Sequence, residues 1–231
     1  MSTTPAAQKR IAFFTIGQSP RIDVVPEMAA LLGDHVVIEE RGALDDLDAA
    51  AIAAMAPRDG AYRFATRMRD GSQVELDSVA AEVRLADVMS QADGQGYDVL
   101  VPLCTGTAIP ALETLVVEPQ QVVDHLLAGL ARHCGKVGLM VPLASQLEHF
   151  HMICDLPCET RVVHASPYEP NRARALARYA EAGRELADCD LIVMHCMGYA
   201  SWMRDAVAQA SRRPVLLSNK VVAQALAQLL E

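Results

Sequence analysis

Residues 99–108 read VLVPLCTGTA and residues 191–200 read LIVMHCMGYA. Each is a short apolar run that ends in Cys-x-Gly-x-Ala, and the two copies lie 92 residues apart. An apolar run without in/out alternation describes a strand buried on both faces, as in a parallel sheet covered by helices. A second pair of segments keeps the same order: Lys9-Arg10 precedes IAFFTIGQS, and Gly135-Lys136 precedes VGLMVPLAS. Two matches in consistent order read as an internal duplication with its boundary near Gly135.

Working outward, strands are expected at 11–16, 36–40, 99–103, 137–141, 161–164, 191–195 and 215–217. Helices are expected at 22–32, 45–55, 77–95, 120–134, 144–153, 171–187, 201–210 and 219–230. Strand–helix alternation over the whole length is the pattern of a doubly wound α/β architecture. One stretch departs from it. Tyr62, Phe64, Thr66 and Met68 alternate and lead to Asp70-Gly71, a hairpin signal. The expected fold is therefore α/β, with two similar doubly wound subdomains and mainly parallel sheets. They span residues 1–134 and 135–231, the first carries a β-hairpin flap at 62–76, and segment 213–231 packs back on the first.

Composition removes several function classes. The 231 residues carry 20 Lys and Arg against 29 Asp and Glu, a net charge of −9, and only 4% are aromatic. A nucleic-acid binder needs clustered positive charge or stacking rings, so no nucleic-acid partner is expected. No stretch reaches the ~18 apolar residues of a membrane span, so no membrane partner is expected either. The start imitates a secretory leader but lacks a cleavage site, and a cytoplasmic location is expected. Six cysteines in such a compartment are thiols, each used for packing, metal binding or chemistry.

Cys104 and Cys196 fall at strand carboxyl ends, where open parallel sheets bind their ligands. Amide N–H groups and a following helix would lower a thiol pKa there from about 8.5. Thr105, Gly106 and Thr107 offer hydroxyls and close backbone approach, a cradle for a carboxylate. One thiolate can remove a proton from a carbon next to a carboxyl group while the opposing thiol returns one on the other face. Racemisation or epimerisation without a cofactor results. Buried cysteines that merely fill space are the plain alternative.

The loop Gly17-Gln18-Ser19-Pro20-Arg21 is expected at the same cleft. Ser19 is placed to hydrogen-bond a carboxylate or to cap a helix opened by Pro20. Arg21 would clamp a carboxylate or pair with Asp23 on the surface. Ser145, the repeat partner of Ser19, and Asn219 at the last strand's end are second-rank ligand contacts.

Other constellations are set aside. His149, His151, Cys154 and Cys158 could suggest zinc, but on a helix His149 and His151 diverge by about 200°, so no metal site is assigned. His195 is read as a hydrogen-bonded core histidine, because strand alternation turns it away from Cys196. Cys134 and Cys189 are read as structural. Asp45, Asp46 and Asp48 are read as an acidic helix start. No Gly-x-Gly-x-x-Gly, phosphate-binding loop or lysine motif points to a nucleotide, flavin or pyridoxal cofactor, so no cofactor is expected.

TIGQSPRIDV at 15–24, GYDVLVPLCTGTA at 96–108 and RPVLLSNKVVAQALAQLL at 213–230 resemble the AroM family, within the aspartate/glutamate/hydantoin racemase-like superfamily. The hairpin and its following helix share the likeness. The resemblance implies two α/β subdomains enclosing a site with one cysteine from each. Cys104 with Thr105 and Thr107 is similar to the superfamily pattern. At the second cysteine Met197, Gly198 and Tyr199 replace the Thr and acidic-or-His pair of amino-acid racemases. That departure points away from a dicarboxylic amino acid, towards a bulkier or less polar substrate contacting Met197 and Tyr199. The implied function is a cofactor-independent racemase, epimerase or isomerase for a small carboxylate-bearing compound. The alternatives are a single-cysteine decarboxylase or cis-trans isomerase of the same fold, or an inactive small-molecule-binding regulatory protein. Homo-oligomerisation, as a dimer, is also expected.

Overall fold

The computed structural model describes residues 8–148 and 150–231; the leader-like start at 1–7 and His149 of the set-aside zinc group lie outside the described residues. Among the described residues, nine strands and seven α-helices occur, beginning β1 (Lys9–Thr15), α1 (Val25–Leu32), β2 (Val36–Gly42), α2 (Ala49–Ala54), β3 (Arg63–Arg67), β4 (Gln73–Asp77), α3 (Ser78–Ala92) and β5 (Val99–Pro102). The chain continues with α4 (Pro119–Ala131), β6 (Lys136–Val141), β7 (Glu159–His164), α5 (Arg172–Glu185), β8 (Leu191–Met194), α6 (Ser201–Ser211), β9 (Val215–Leu217) and α7 (Ser218–Leu229).

Two parallel sheets form, with strand orders β2-β1-β5 and β7-β6-β8-β9. β1, β2 and β5 of the first sheet thus take the same places as β6, β7 and β8 of the second, with β1 and β6 matched. The expected α/β fold with mainly parallel sheets is the one observed. Burial on both faces explains why the strands lack alternation. Ile11, Phe13, Val99, Val101, Val137, Leu139, Leu191 and Val193 share one core with α1, α4 and α7. Ala12, Phe14 and Leu100 face the opposite way, onto α3 and the hairpin, while Met140, Ile192 and Met194 face α5 and α6. The layers therefore run helix, sheet, helix, sheet, helix. The middle layer is common to both halves, and α7 lies against α1 and α4.

The hairpin β3–β4 pairs antiparallel as its alternation requires. It docks on the loop after β1, where Gln18 N–H donates to the Arg67 carbonyl (3.3 Å) and Arg69 N–H to Gln18 Oε1 (3.0 Å). Three local expectations are corrected. The 144–153 segment forms only a 3₁₀ turn at Ala144–Gln146 and then runs irregularly, so no helix displays a zinc set. The first helix starts at Val25, not behind Ser19 and Pro20; Ser19 Oγ instead donates to Asp45 Oδ2 (2.6 Å). Of the acidic trio only Asp48 caps a helix; Asp45 also accepts from the Ser19 and Gly42 N–H groups and from Arg69, and Asp46 pairs with Arg84. No helix among the described residues is long and apolar enough to cross a membrane.

Gly17 is the point of closest approach between loop and hairpin. A Cβ there would collide with the Arg67 carbonyl and stand 2.5 Å from Thr66 Oγ1. Gly17→Ala is expected to lift the hairpin, costing roughly 1–3 kcal/mol as an overpacked contact does. Denaturant unfolding and tryptic cleavage at Arg67 and Arg69 measure this, and unchanged stability and cleavage would refute the docking.

Candidate active site

Both cysteines are placed by the same backbone device. One residue past each central pairing, Leu103 N–H donates to the Phe14 carbonyl (2.6 Å) and His195 N–H to the Met140 carbonyl (2.8 Å). The next residue in each chain is the cysteine. Cys104 and Cys196 line one cavity of about 40 Å3, together with Thr105, Gly106, Gln120, Pro142, Gln146, Phe150, His151 and His195. Tyr62, Phe64 and Ala65 of the hairpin complete the wall, so the flap covers the cysteines. A volume this small has room for water-sized molecules and little else. Gly106 has φ of +101°, a conformation that glycine adopts without strain.

The expected depression of the thiol pKa values is reversed. After β5 the chain stays irregular until α4 begins at Pro119, so no helix end stands at Cys104. Burial pushes the Cys104 thiol well up and nearby Cys196 adds to this, with Arg21 only partly opposing. Burial raises Cys196 too, against the pull of the Gly198 N–H, Arg21 and the Tyr168 hydroxyl. The thiols differ in their bonds: Cys104 Sγ donates to the Thr105 carbonyl (3.6 Å), whereas Cys196 Sγ accepts from Gly198 N–H (3.4 Å).

Arg21 is 3% exposed and buried, not at the surface. It is held bidentately by Asp23 (2.9 and 3.0 Å) and donates to Thr15 Oγ1 (3.0 Å). Burial works against its charge, but Tyr168 and Asp23 outweigh it and the guanidinium stays firmly protonated. Arg21 thus places a fixed positive charge behind the cysteines; its fork is already taken. Gln18 and Ser19 are likewise engaged, by Leu44, Arg69 and Asp45, and Gly17 by the hairpin. None of them lines the cavity.

Other expected contacts are redistributed. Thr107 stands outside the cavity wall. Ser145 is exposed in a neighbouring depression with Arg63 and shares Tyr62 and His151 with the cavity, while Gln146, one residue on, faces the cysteines. Met197 and Tyr199 are buried in the cores, Tyr199 donating to the Ala165 carbonyl (2.8 Å), so neither shapes a substrate pocket as expected. Asn219 holds the second cysteine loop from behind, its Nδ2 donating to the Met197 (3.2 Å) and Tyr199 (2.7 Å) carbonyls. Cys189 is fully buried, Cys134 is half-buried beside α4, and Cys154 donates to the Asp124 carbonyl (3.3 Å).

Tyr168, Gln146 and Asp124 escape sequence reasoning. Tyr168 sits after β7, at a strand carboxyl end where the rule applied to the cysteines would have found it. Asp124 is a carboxylate on the inward face of α4, three residues before Leu127. Its partner is His195, whose Nε2 lies 2.6 Å from Asp124 Oδ1. His195 is hydrogen-bonded as expected, yet it lines the cavity beside Cys196. The reason is local: β8 ends at Met194, and Cys196 N–H turns back to the Met194 carbonyl (3.0 Å) in a three-residue turn that breaks alternation.

A family model described as AroM protein matches residues 11–230. Comparison with curated proteins gave no match. Among solved structures, Picrophilus torridus aspartate racemase is similar at 10% identity, TM-score 0.63, covering 96% of this chain and 94% of that one. Allantoin racemase from Klebsiella pneumoniae is similar at 14% identity, TM-score 0.55, covering 96% and 87%. Nocardia farcinica maleate cis-trans isomerase is similar at 15% identity, TM-score 0.51, covering 95% and 91%. At such identities the likeness is one of fold.

The raised thiols set a sign for stability against pH. A thiol whose folded pKa exceeds its unfolded value of about 8.5 stabilises the fold fully below that pH, and the contribution fades as pH rises towards the folded value. Unfolding free energy is expected to fall above about pH 8.5, by at most about 1.4 kcal/mol per pH unit for Cys104. Cys104→Ser is expected to flatten part of that decline in urea titrations. An identical slope in wild type and variant would show that Cys104 is not held protonated.

Proposed function

Because the chain belongs to the AroM protein family, we propose that it is a cofactor-independent racemase, epimerase or isomerase that moves a proton at the carbon next to a carboxylate. Cys196 is the base and Cys104 the acid in the direction primed by this conformation. The observation that carries the reading is the pair of thiols in one covered cavity with opposite hydrogen-bonding roles. Cys104 keeps its proton on the Thr105 carbonyl, while Cys196 receives donors that favour a thiolate.

In this reading Cys196 removes the α-proton, and Cys104 delivers one to the opposite face of the planar carbanion. Thr105 and the backbone near Gly106 and Gly198 hold the carboxylate. The fixed charge of Arg21 stabilises the enolate that forms, an electrostatic contribution that needs no reorganisation at the moment of reaction. The racemases and the isomerase with this fold, named for aspartate, allantoin and maleate, are consistent with a small carboxylate or amide substrate. The hairpin must lift for entry, because the cavity as it stands is too small for such molecules.

Single enantiomers of amino acids and 2-substituted carboxylic acids, incubated with the protein in D2O, are expected to lose their α-proton signal and optical activity together. Cys104→Ser and Cys196→Ser are each expected to reduce racemisation by about 100-fold or more. Turnover that survives both substitutions would overturn the proposal. Thermal stabilisation by a carboxylate without any exchange would favour the regulatory alternative.

A further inference from the structure

Leu103 and His195 occupy equivalent places in the two halves, each donating its N–H past the end of the central strand. In the first half an apolar side chain, 4% exposed, fills that place. In the second half the same place holds a histidine that needs a buried carboxylate. The His195 and Asp124 side chains are 2% and 0% exposed and meet at 2.6 Å. Burying such a pair carries a desolvation cost that a leucine avoids, so packing alone does not account for it.

The pair is also fixed in orientation. Asp124 Oδ2 accepts the Ile153 N–H (3.0 Å), and the Phe150 ring stands edge-on to the imidazole at 4.9 Å. A carboxylate only accepts, so the proton between them sits on Nε2. Nδ1 is therefore the nitrogen with a free lone pair, and among the described residues it has no hydrogen-bond partner. The ring that carries it lines the cavity with both cysteines.

We propose that His195, oriented by Asp124, is the acceptor that takes the Cys196 thiol proton and leaves the thiolate in the cavity. The step balances: Cys196 S–H breaks, sulfur keeps the electron pair, Nδ1–H forms, and Nε2–H stays on Asp124. A thiolate–imidazolium pair replaces two neutral groups with no change in net charge, and Asp124 compensates the imidazolium. The other titratable or charged groups around this centre are His151 and Cys154 from the irregular segment after Gln146, Cys104 from the loop after β5, and Tyr62 from the hairpin. Arg21 and Tyr168 lie beyond the thiols. Burial, which raises the Cys196 thiol, is the obstacle this base removes. The inference rests on reading the cavity as a proton-transfer site.

The test uses the protein without substrate. Iodoacetamide alkylation of Cys196, mapped by peptide mass spectrometry, is followed from about pH 5.5 to about pH 9 in wild type, His195→Gln and Asp124→Asn, spanning the histidine and thiol ranges. Wild type is expected to show its inflexion below the range of an unassisted thiol. His195→Gln is expected to lower the rate near neutrality by about tenfold or more and move the inflexion above about pH 8.5, as an unassisted thiol requires. Asp124→Asn is expected to shift it in the same direction, and half-buried Cys134 to keep its rate throughout. Should His195→Gln fail to fold, the thiolate absorbance near 240 nm lost on Cys196→Ser at neutral pH gives the answer in the native background. An unchanged Cys196 profile in His195→Gln, no alkylation at any pH, or no such absorbance overturns the assignment. None of these readouts involves turnover, so their failure would leave the two-thiol reaction standing, and failure of proton exchange with an intact thiol profile would indict the reaction alone.

Discussion

The site exists because three helices are packed between two sheets. α1, α4 and α7 bury their apolar faces against Ile11, Phe13, Val99 and Val101 on one side and Val137, Leu139, Leu191 and Val193 on the other. Both sheets pack on that shared core, and the residues that follow β5 and β8 meet at one cavity. Neither half owns the middle layer. Apolar burial at roughly 25 cal/mol per Å2 thus does more than hold the molecule together: it fixes which two cysteines meet.

That burial also decides the electrostatics. Amide dipoles and a helix end were expected to win at Cys104, but the loop after β5 supplies no helix end and the hairpin covers the cysteines from above. Desolvation of the charged form is then the larger effect, and it moves both thiols the opposite way. The net charge of −9 has little local bearing, because the charge that reaches the cysteines is the cation of Arg21, locked by Asp23. A site of this kind favours a neutral acid at Cys104 and needs a built-in proton acceptor to hold a thiolate at Cys196.

The parts of the sequence with one dominant constraint were readable. Strands buried on both faces, such as 99–103 and 191–195, have no alternation to confuse them, and Asp70-Gly71 leaves the hairpin little choice. Cys104 and Cys196 were singled out because each closes an apolar strand, and the structure brings both to one cavity. The failures have physical causes. The segment at 144–153 was expected to be helical, but Gln146, Phe150 and His151 are claimed by the cavity and the Ile153 N–H by Asp124, and tertiary contacts override propensity there. Ser19 looked like a cap because a proline follows; Asp45, distant in sequence, made the better partner. Met197 and Tyr199 adjoin the second cysteine in sequence and still turn into the cores, since a loop leaving a buried strand presents alternate residues to different layers.

The two sheets repeat one strand order, and the candidate site is built where the halves differ. The first half inserts the hairpin between α2 and α3 and so provides the roof, with Tyr62, Phe64 and Ala65 against the cysteines. The second half keeps a short loop at Cys196, pinned by Asn219, and directs the Gly198 N–H at the sulfur. A symmetric pair of thiols would hold no preference for which one carries the proton. Here a carbonyl stands at one thiol and an N–H at the other, and a leucine is matched by a histidine. These differences give the cavity a direction, which the proposed proton transfer would have to invert with each turnover.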